Sequence, residues 1–170
     1  MKVIALIPAR YEASRFPGKL LQDLAGKPVI VRTYEATLQT QLFDEVYVVT
    51  DSKRIAESIS LYGGKSIISS EQHATGSDRI AEAAKQIEAD IIINVQGDEP
   101  FVNKAILSRL IDTLEADTAM QIDVASLVFP IDEKEAIENP NNVKVVMDKQ
   151  DFALYFSRAP IPYPAAKTGG

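Results

Sequence analysis

The sequence predicts a doubly wound, mostly parallel α/β sheet, and three observations predict it. Continuous runs rich in Val and Ile recur along the chain, the pattern of strands buried on both faces of a parallel sheet. Amphipathic segments of helical period separate them, giving a βαβα alternation with right-handed crossovers. No repeat, low-complexity stretch or Ser/Pro-rich linker interrupts the 170 residues. A single domain over 1–170 is therefore expected, large enough to bury roughly 70% of the surface its unfolded chain exposes.

The first run, VIALI at 3–7, reads as a buried strand. It follows a lysine, as a secretion signal would, but it is too short and is interrupted by Pro8 and Arg10. Helical periodicity then covers 29–42, followed by a strand at 45–50 (EVYVVT) and a helix over 52–62. A helix over 77–88 precedes the strand DIIINV at 90–95, and a helix over 103–115 precedes the strand DVASLVF at 123–129. After a short helix at 133–139 come VKVVM at 143–147 and FALYFSRAPIP at 152–162. The polar turn DKQD joins these two, which predicts a β-hairpin added to the parallel sheet.

Bulk properties exclude several functions. A net charge of −6 leaves no dense basic surface to displace counterions from a duplex, so no nucleic-acid partner is expected and any phosphate ligand should be small. The absence of cysteine removes disulfides, thiolate metal sites and a cysteine nucleophile. No apolar stretch is long enough to span a bilayer; the expectation is a soluble cytoplasmic protein without a membrane partner.

Ligands of open α/β sheets bind beyond the carboxyl ends of the strands, and four segments qualify. They are PARYEASRFPGK at 8–19, TDS at 50–52, HATGSDR at 73–79 and QGDEP at 96–100. The first concentrates Arg10, Arg15 and Lys19 against a single Glu12 in an otherwise acidic chain. Arginine grips phosphate oxygens in pairs and lysine adds a mobile point charge, while Gly18 permits close backbone approach and Pro17 stiffens it. A solvated surface loop would explain the same residues taken alone. The patterns GxxxxGK[ST] and GxGxxG are both missing, which disfavours a P-loop or a dinucleotide site.

QGDEP puts Asp98 and Glu99 at a strand end, where Asp98 is the better candidate ligand for Mg²⁺, a hard cation satisfied by one or two carboxylates plus substrate phosphates and water. A polar turn bonding its own amides is the competing explanation. The basic loop, expected two strands away at the same sheet edge, favours the metal. Thr75 and Asp78 fit a capping box; Gly76 and Arg79 could still face a ribose or base. His73, the only histidine, is given no role, and Asp51 with Ser52 reads as the cap of the next helix. Arg158, at the end of an aromatic strand, suits either a substrate carboxylate or a structural ion pair. Lys144, inside VKVV, fits an edge or an alternating face better than a site.

Taken together, IPARYEASRFPGKLL, ATGSDR, NVQGDEP, NPNNVKVV and YFSRAPIPY resemble the 3-deoxy-manno-octulosonate (Kdo) cytidylyltransferases, in the family's order over nearly the whole chain. The resemblance implies the nucleotide-diphospho-sugar transferase (Rossmann-like) fold, and an enzyme converting CTP and Kdo into CMP-Kdo and pyrophosphate for lipopolysaccharide assembly. It implies Mg²⁺ as cofactor and a homodimer. By the same likeness Ala9, Arg10, Arg15 and Lys19 hold the triphosphate, with Arg10, Lys19 and Asp98 catalytic and Asp98 the metal ligand. Thr75, Gly76, Ser77 and Arg79 line the nucleotide pocket, Gln96 faces the sugar, and Arg158 helps bind its carboxylate. The family pattern continues past the Ser-Arg-Ala-Pro-Ile-Pro segment, whereas this chain closes on Lys167-Thr-Gly-Gly. Further sugar-binding residues, a second acidic metal ligand and part of the dimer contact are expected in that continuation. A CMP-sialate synthetase, whose loop carries Gly-Ser-Lys where this one has Ala13-Ser14-Arg15, and a CTP-binding module without turnover are the alternatives.

Overall fold

The computed structural model describes residues 1–12, 17–70 and 73–162. They fall into two compact units, Met1–Ala125 and Ser126–Gly170.

The first unit is built on four parallel strands, β1 (Val3–Ala9), β4 (Glu45–Thr50), β5 (Ser66–Ile68) and β6 (Ile91–Asn94), in the order β5-β4-β1-β6. A small antiparallel pair, β2 (Asp23–Leu24) and β3 (Lys27–Pro28), leads into the first helix. The helices are α1 (Val29–Gln39), α2 (Lys53–Leu61), α3 (Gly76–Ala84) and α4 (Lys104–Ala116).

Alternation along β1 explains the two-sided core. Val3, Ala5, Ile7 and Ala9 pack with Ile30, Val31 and Tyr34 of α1, Ile55 and Ile59 of α2, and Leu107 and Ile111 of α4. Ile4 and Leu6 turn the other way onto Ile80 and Ala83 of α3. Because both faces are covered, the strand must be apolar at every position, which is what makes VIALI a continuous run. Pro8 follows the last Leu6↔Asn94 pairing by two residues, where one flank of the strand is already released; a sheet tolerates proline there.

Two expectations need correction. The QGDEP turn was expected two strands from the basic loop, but β6 pairs directly with β1, so the loops that follow them are neighbours. The strand expected at 123–129 does not form: Val124, Val128 and Phe129 are exposed and no ladder partner runs beside the segment among the described residues. An apolar run becomes a strand only when another edge accepts its backbone bonds. Conversely β5, a three-residue strand in KSIISS, carries too short a run to stand out in the sequence.

The second unit contains α5 (Lys134–Glu138) and the hairpin of β7 (Lys144–Met147) with β8 (Ala153–Ser157). The predicted DKQD turn is there: Asp148 Oδ1 accepts from the amides of Gln150 and Phe152, at 2.8 and 2.9 Å, and Asp151 adopts φ +66°. The hairpin is a separate two-stranded sheet, not an addition to the parallel one. Its ladder closes on itself, and the parallel sheet ends at β5 and β6 among the described residues.

Candidate active site

The chain leaves β1 at Ala9, which is buried, and Arg10, which is exposed. It returns at Gly18, whose amide donates to the Tyr11 carbonyl at 2.8 Å and closes the neck of the basic loop. Gly18 sits at φ +71°, the left-handed region that glycine enters without a Cβ penalty. Arg15 lies outside the described residues. At the neck, the Arg54 guanidinium lies over the Tyr11 ring and donates to its hydroxyl at 2.9 Å. Sequence reasoning missed this further cation because Arg54 belongs to α2, far from the loop in the chain.

Lys19 begins a single 3₁₀ turn, Lys19–Leu21, and reaches across to the next strand end. Its Nζ lies 2.6 Å from Asp98 Oδ2, with both side chains about half exposed, at 51% and 46%. So exposed a pair adds roughly 0–1 kcal/mol to stability. Its importance is the meeting of a cation and a carboxylate at the carboxyl edge of the sheet.

Asp98 is held there by its neighbour. A Cβ on Gly97 would come within 2.9 Å of the Pro8 carbonyl oxygen and 3.3 Å of Ile30 and Leu20 carbons, so only glycine fits. The buried Thr33 hydroxyl donates to the Gly97 carbonyl at 2.9 Å, tying the turn to α1. Gln96 is exposed beside it and donates to Asn94 Oδ1 at 3.2 Å.

The third wall is the start of α3. Thr75 and Asp78 form the predicted capping box: the Thr75 hydroxyl accepts from the Asp78 amide, and the Asp78 carboxylate accepts from the Thr75 amide, both at 3.1 Å. The Thr75 hydroxyl holds the Asp78 carboxyl below its ordinary range. A Cβ on Gly76 would lie 3.2 Å from Pro8 Cγ, so this turn also abuts the end of β1. Ser77 is exposed. Arg79 differs from its expectation: it is 4% exposed, and its fork points inward to Asp51 Oδ2, at 2.8 Å, and to the Ser69 hydroxyl. Asp51 is thus an ion-pair partner more than a cap, and Ser52 occupies the cap position of α2 without a side-chain bond.

His73, assigned no role from sequence, bonds to Glu82, which also accepts from the Ser70 amide at 2.8 Å and from the Ser70 hydroxyl. The Ser70 bonds, with His73 adding to them, lower the Glu82 carboxyl to about 2.

In the second unit, Lys144 is buried and gives its ammonium to three carbonyls: Asn142 and Arg158 at 2.6 Å and Asn139 at 3.1 Å. The exposed Arg158 donates to the Pro140 carbonyl at 2.9 Å. Among the described residues no group of three His, Cys, Asp or Glu gathers as a metal cage. Among the described residues, no helix is long and apolar enough to cross a membrane.

A parallel sheet whose strand ends carry a basic loop, a carboxylate turn and a helix start is the framework of a nucleotidyltransferase. Residues 4–168 match the cytidylyltransferase family, and the chain belongs to it. Its relatives include the 3-deoxy-manno-octulosonate cytidylyltransferases of Christiangramia forsetii, 57% identical over 95% of this chain, and of Flavobacterium johnsoniae, 55% identical over all of it. The chain spans 65% and 70% of the length of these two relatives. The solved structure of a CMP:2-keto-3-deoxy-manno-octonic acid synthetase complexed with CTP superposes with a TM-score of 0.89 at 44% identity, covering 96% of this chain and 67% of that one.

Proposed function

We propose that this chain carries the nucleotide-handling machinery of a Kdo cytidylyltransferase, which joins CTP and Kdo into CMP-Kdo with release of pyrophosphate, supplying activated sugar for lipopolysaccharide. The observation that carries the reading is the 2.6 Å approach of Lys19 to Asp98, at a sheet edge shared with Arg10 and the start of α3. The curated relatives bearing that enzyme name support it. The family match runs unbroken through both compact units, which supports a single nucleotidyltransferase domain over 1–170. A cytoplasmic homodimer belongs to the same reading.

In the reaction the sugar's anomeric hydroxyl gives up its proton to water as its oxygen forms a bond to the α-phosphorus, while the bond from that phosphorus to the bridging oxygen breaks and pyrophosphate leaves. Such transfers depend on positioning and on charge already in place where charge develops. Arg10, Arg15 and Lys19 grip the β- and γ-phosphates and offset the charge gathering on the leaving group. The buried Ala9 offers only its backbone, at the point where β1 releases the chain. Thr75, Gly76 and Ser77 border the ribose and base; the Asp78 carboxylate in the same turn suits a neutral part of the nucleotide better than its phosphates. Gln96 faces the sugar, and Arg158 pairs with its carboxylate.

The donor set fits magnesium. Asp98 is an exposed carboxylate whose Oδ1 accepts no bond among the described residues, and Mg²⁺ commonly takes one such group together with substrate phosphates and water. Asp98 would hold the ion, which when bound polarises the α-phosphate as a Lewis acid.

The test is Mg²⁺-dependent pyrophosphate release from CTP with Kdo, with a sialic acid, or with no sugar. Release with Kdo alone is expected. Release with sialic acid would reassign the sugar, and CTP binding without release in any arm would reduce the chain to a binding module.

A further inference from the structure

We infer that Arg79 acts on the nucleotide indirectly: with Asp51 and Ser69 it forms a buried clasp that locks the first turn of α3 to the carboxyl ends of β4 and β5. The inference rests on the nucleotide site proposed above and assigns positioning roles to three residues behind it.

Arg79 is the fourth residue of α3, and a helical side chain leans back toward the helix N-terminus, here toward the sheet edge. Its guanidinium ends between two residues that each follow the last residue of a strand. Asp51 follows Thr50 of β4, and Ser69 follows Ile68 of β5. Thr50 and Ile68 are register partners, and the Ser69 amide donates to the Thr50 carbonyl at 2.9 Å, so the two acceptors stand side by side. A planar fork can bridge them; a lysine ammonium, a single point, cannot do so with the same geometry.

The clasp is also enclosed. Arg79 and Ser69 are 4% and 5% exposed, and the Asp51 side chain is about one-third exposed. A guanidinium buried to this degree and committed inward at both terminal nitrogens has no free face for a ligand. What it holds does have one. The Thr75 hydroxyl takes the Asp78 amide, while the amides of Gly76 and Ser77 have no partner among the described residues. On its far side the same turn rests on Pro8, beside the start of the basic loop. The turn is thus pinned at β1 by packing and at β4 and β5 by the clasp, with two backbone donors left over.

Three variants test this: Arg79→Lys, Asp51→Asn and the double variant Arg79→Lys/Asp51→Asn. In the pyrophosphate-release assay each single change should raise the KM for CTP about tenfold, with kcat and the KM for Kdo within about twofold. The double variant should be no worse than the more damaging single one, since both break one contact. Hydrogen exchange of the unliganded protein gives a second readout: the amides of residues 75–79 should exchange about tenfold faster in both single variants, with those of α1 unchanged. An Asp51→Asn protein with wild-type KM beside an Arg79→Lys protein with raised KM would make Arg79 a direct ligand and overturn the inference. Unchanged exchange at 75–79 would overturn it too, as would a rise in both KM values alongside faster exchange in α1, which would mark a general loss of structure. A wild-type protein silent with CTP and Kdo would instead defeat the proposed function, leaving the exchange comparison to decide the clasp.

Discussion

The two compact units spend their apolar residues differently. In β1 of the first, Ile4, Leu6 and Ile7 are wholly buried, because helices cover both faces of the sheet. In β8 of the second, Leu154, Tyr155 and Phe156 are 65%, 63% and 60% exposed. Both strands are mostly apolar, and their environments are opposite. In the first unit shape comes from covered apolar surface; in the second it comes from local polar ties, namely the Asp148 turn and the three carbonyls gathered by the buried Lys144 ammonium. A site that must hold charged groups in fixed positions gains from the first arrangement, and the Lys19, Asp98 and Thr75–Ser77 cluster stands on it.

The sharpest way to break this comparison is a matched truncation. Ile7→Ala should cost about 2–5 kcal/mol of global stability by leaving a cavity under α1, while Leu154→Ala should stay within about 0.5 kcal/mol, both read by chemical denaturation. Equal losses would mean that the hairpin face is covered in solution.

Next in size is an effect on activity without one on stability. Asp98→Asn and Lys19→Ala should each lower turnover at least about a hundredfold, near 3 kcal/mol of barrier, and leave the melting temperature within about a degree. Retained turnover of Asp98→Asn at low Mg²⁺ would remove that carboxylate from the mechanism.

A smaller and more local effect is expected in the second unit. Lys144→Met leaves three part-buried carbonyls without their donor at about 1 kcal/mol each or less and should open residues 139–158 to limited proteolysis while the first unit stays resistant. Arg158→Ala should raise the KM for the sugar more than that for CTP; the reverse would move Arg158 to the nucleotide side.

The smallest effect is on the acid limb of stability. The Glu82 carboxyl, bonded by Ser70 and His73, lies at about 2, below its ordinary 4.5. A depressed carboxyl contributes stability that is complete above about 4.5 and disappears as the pH falls through about 2. Glu82→Gln should therefore flatten the decline across that window in denaturation curves, and an unchanged slope would show that the Ser70–His73–Glu82 link carries no linkage.

Local pattern carried much of the fold and of the candidate site. The loop charges, the Thr75–Asp78 box and the DKQD turn depend on residues a few positions apart, and their chemistry can be read there. The Asp51–Arg79 and Tyr11–Arg54 pairs span 28 and 43 residues, and nothing in the order of residues announces them. The run at 123–129 has strand composition, but strand formation needs an edge, which composition cannot supply.

By itself, the sequence determined the alternation of strands and helices, the family, and which strand-end loops concentrate basic and acidic side chains, because hydrophobic period and turn chemistry act over short distances. The tertiary structure alone decided that β6 lies directly beside β1, that Gly97 must yield space to Pro8, and that the Arg79 fork turns inward. Those outcomes depend on which surfaces meet when the chain closes, and contacts between distant residues are settled by packing and desolvation.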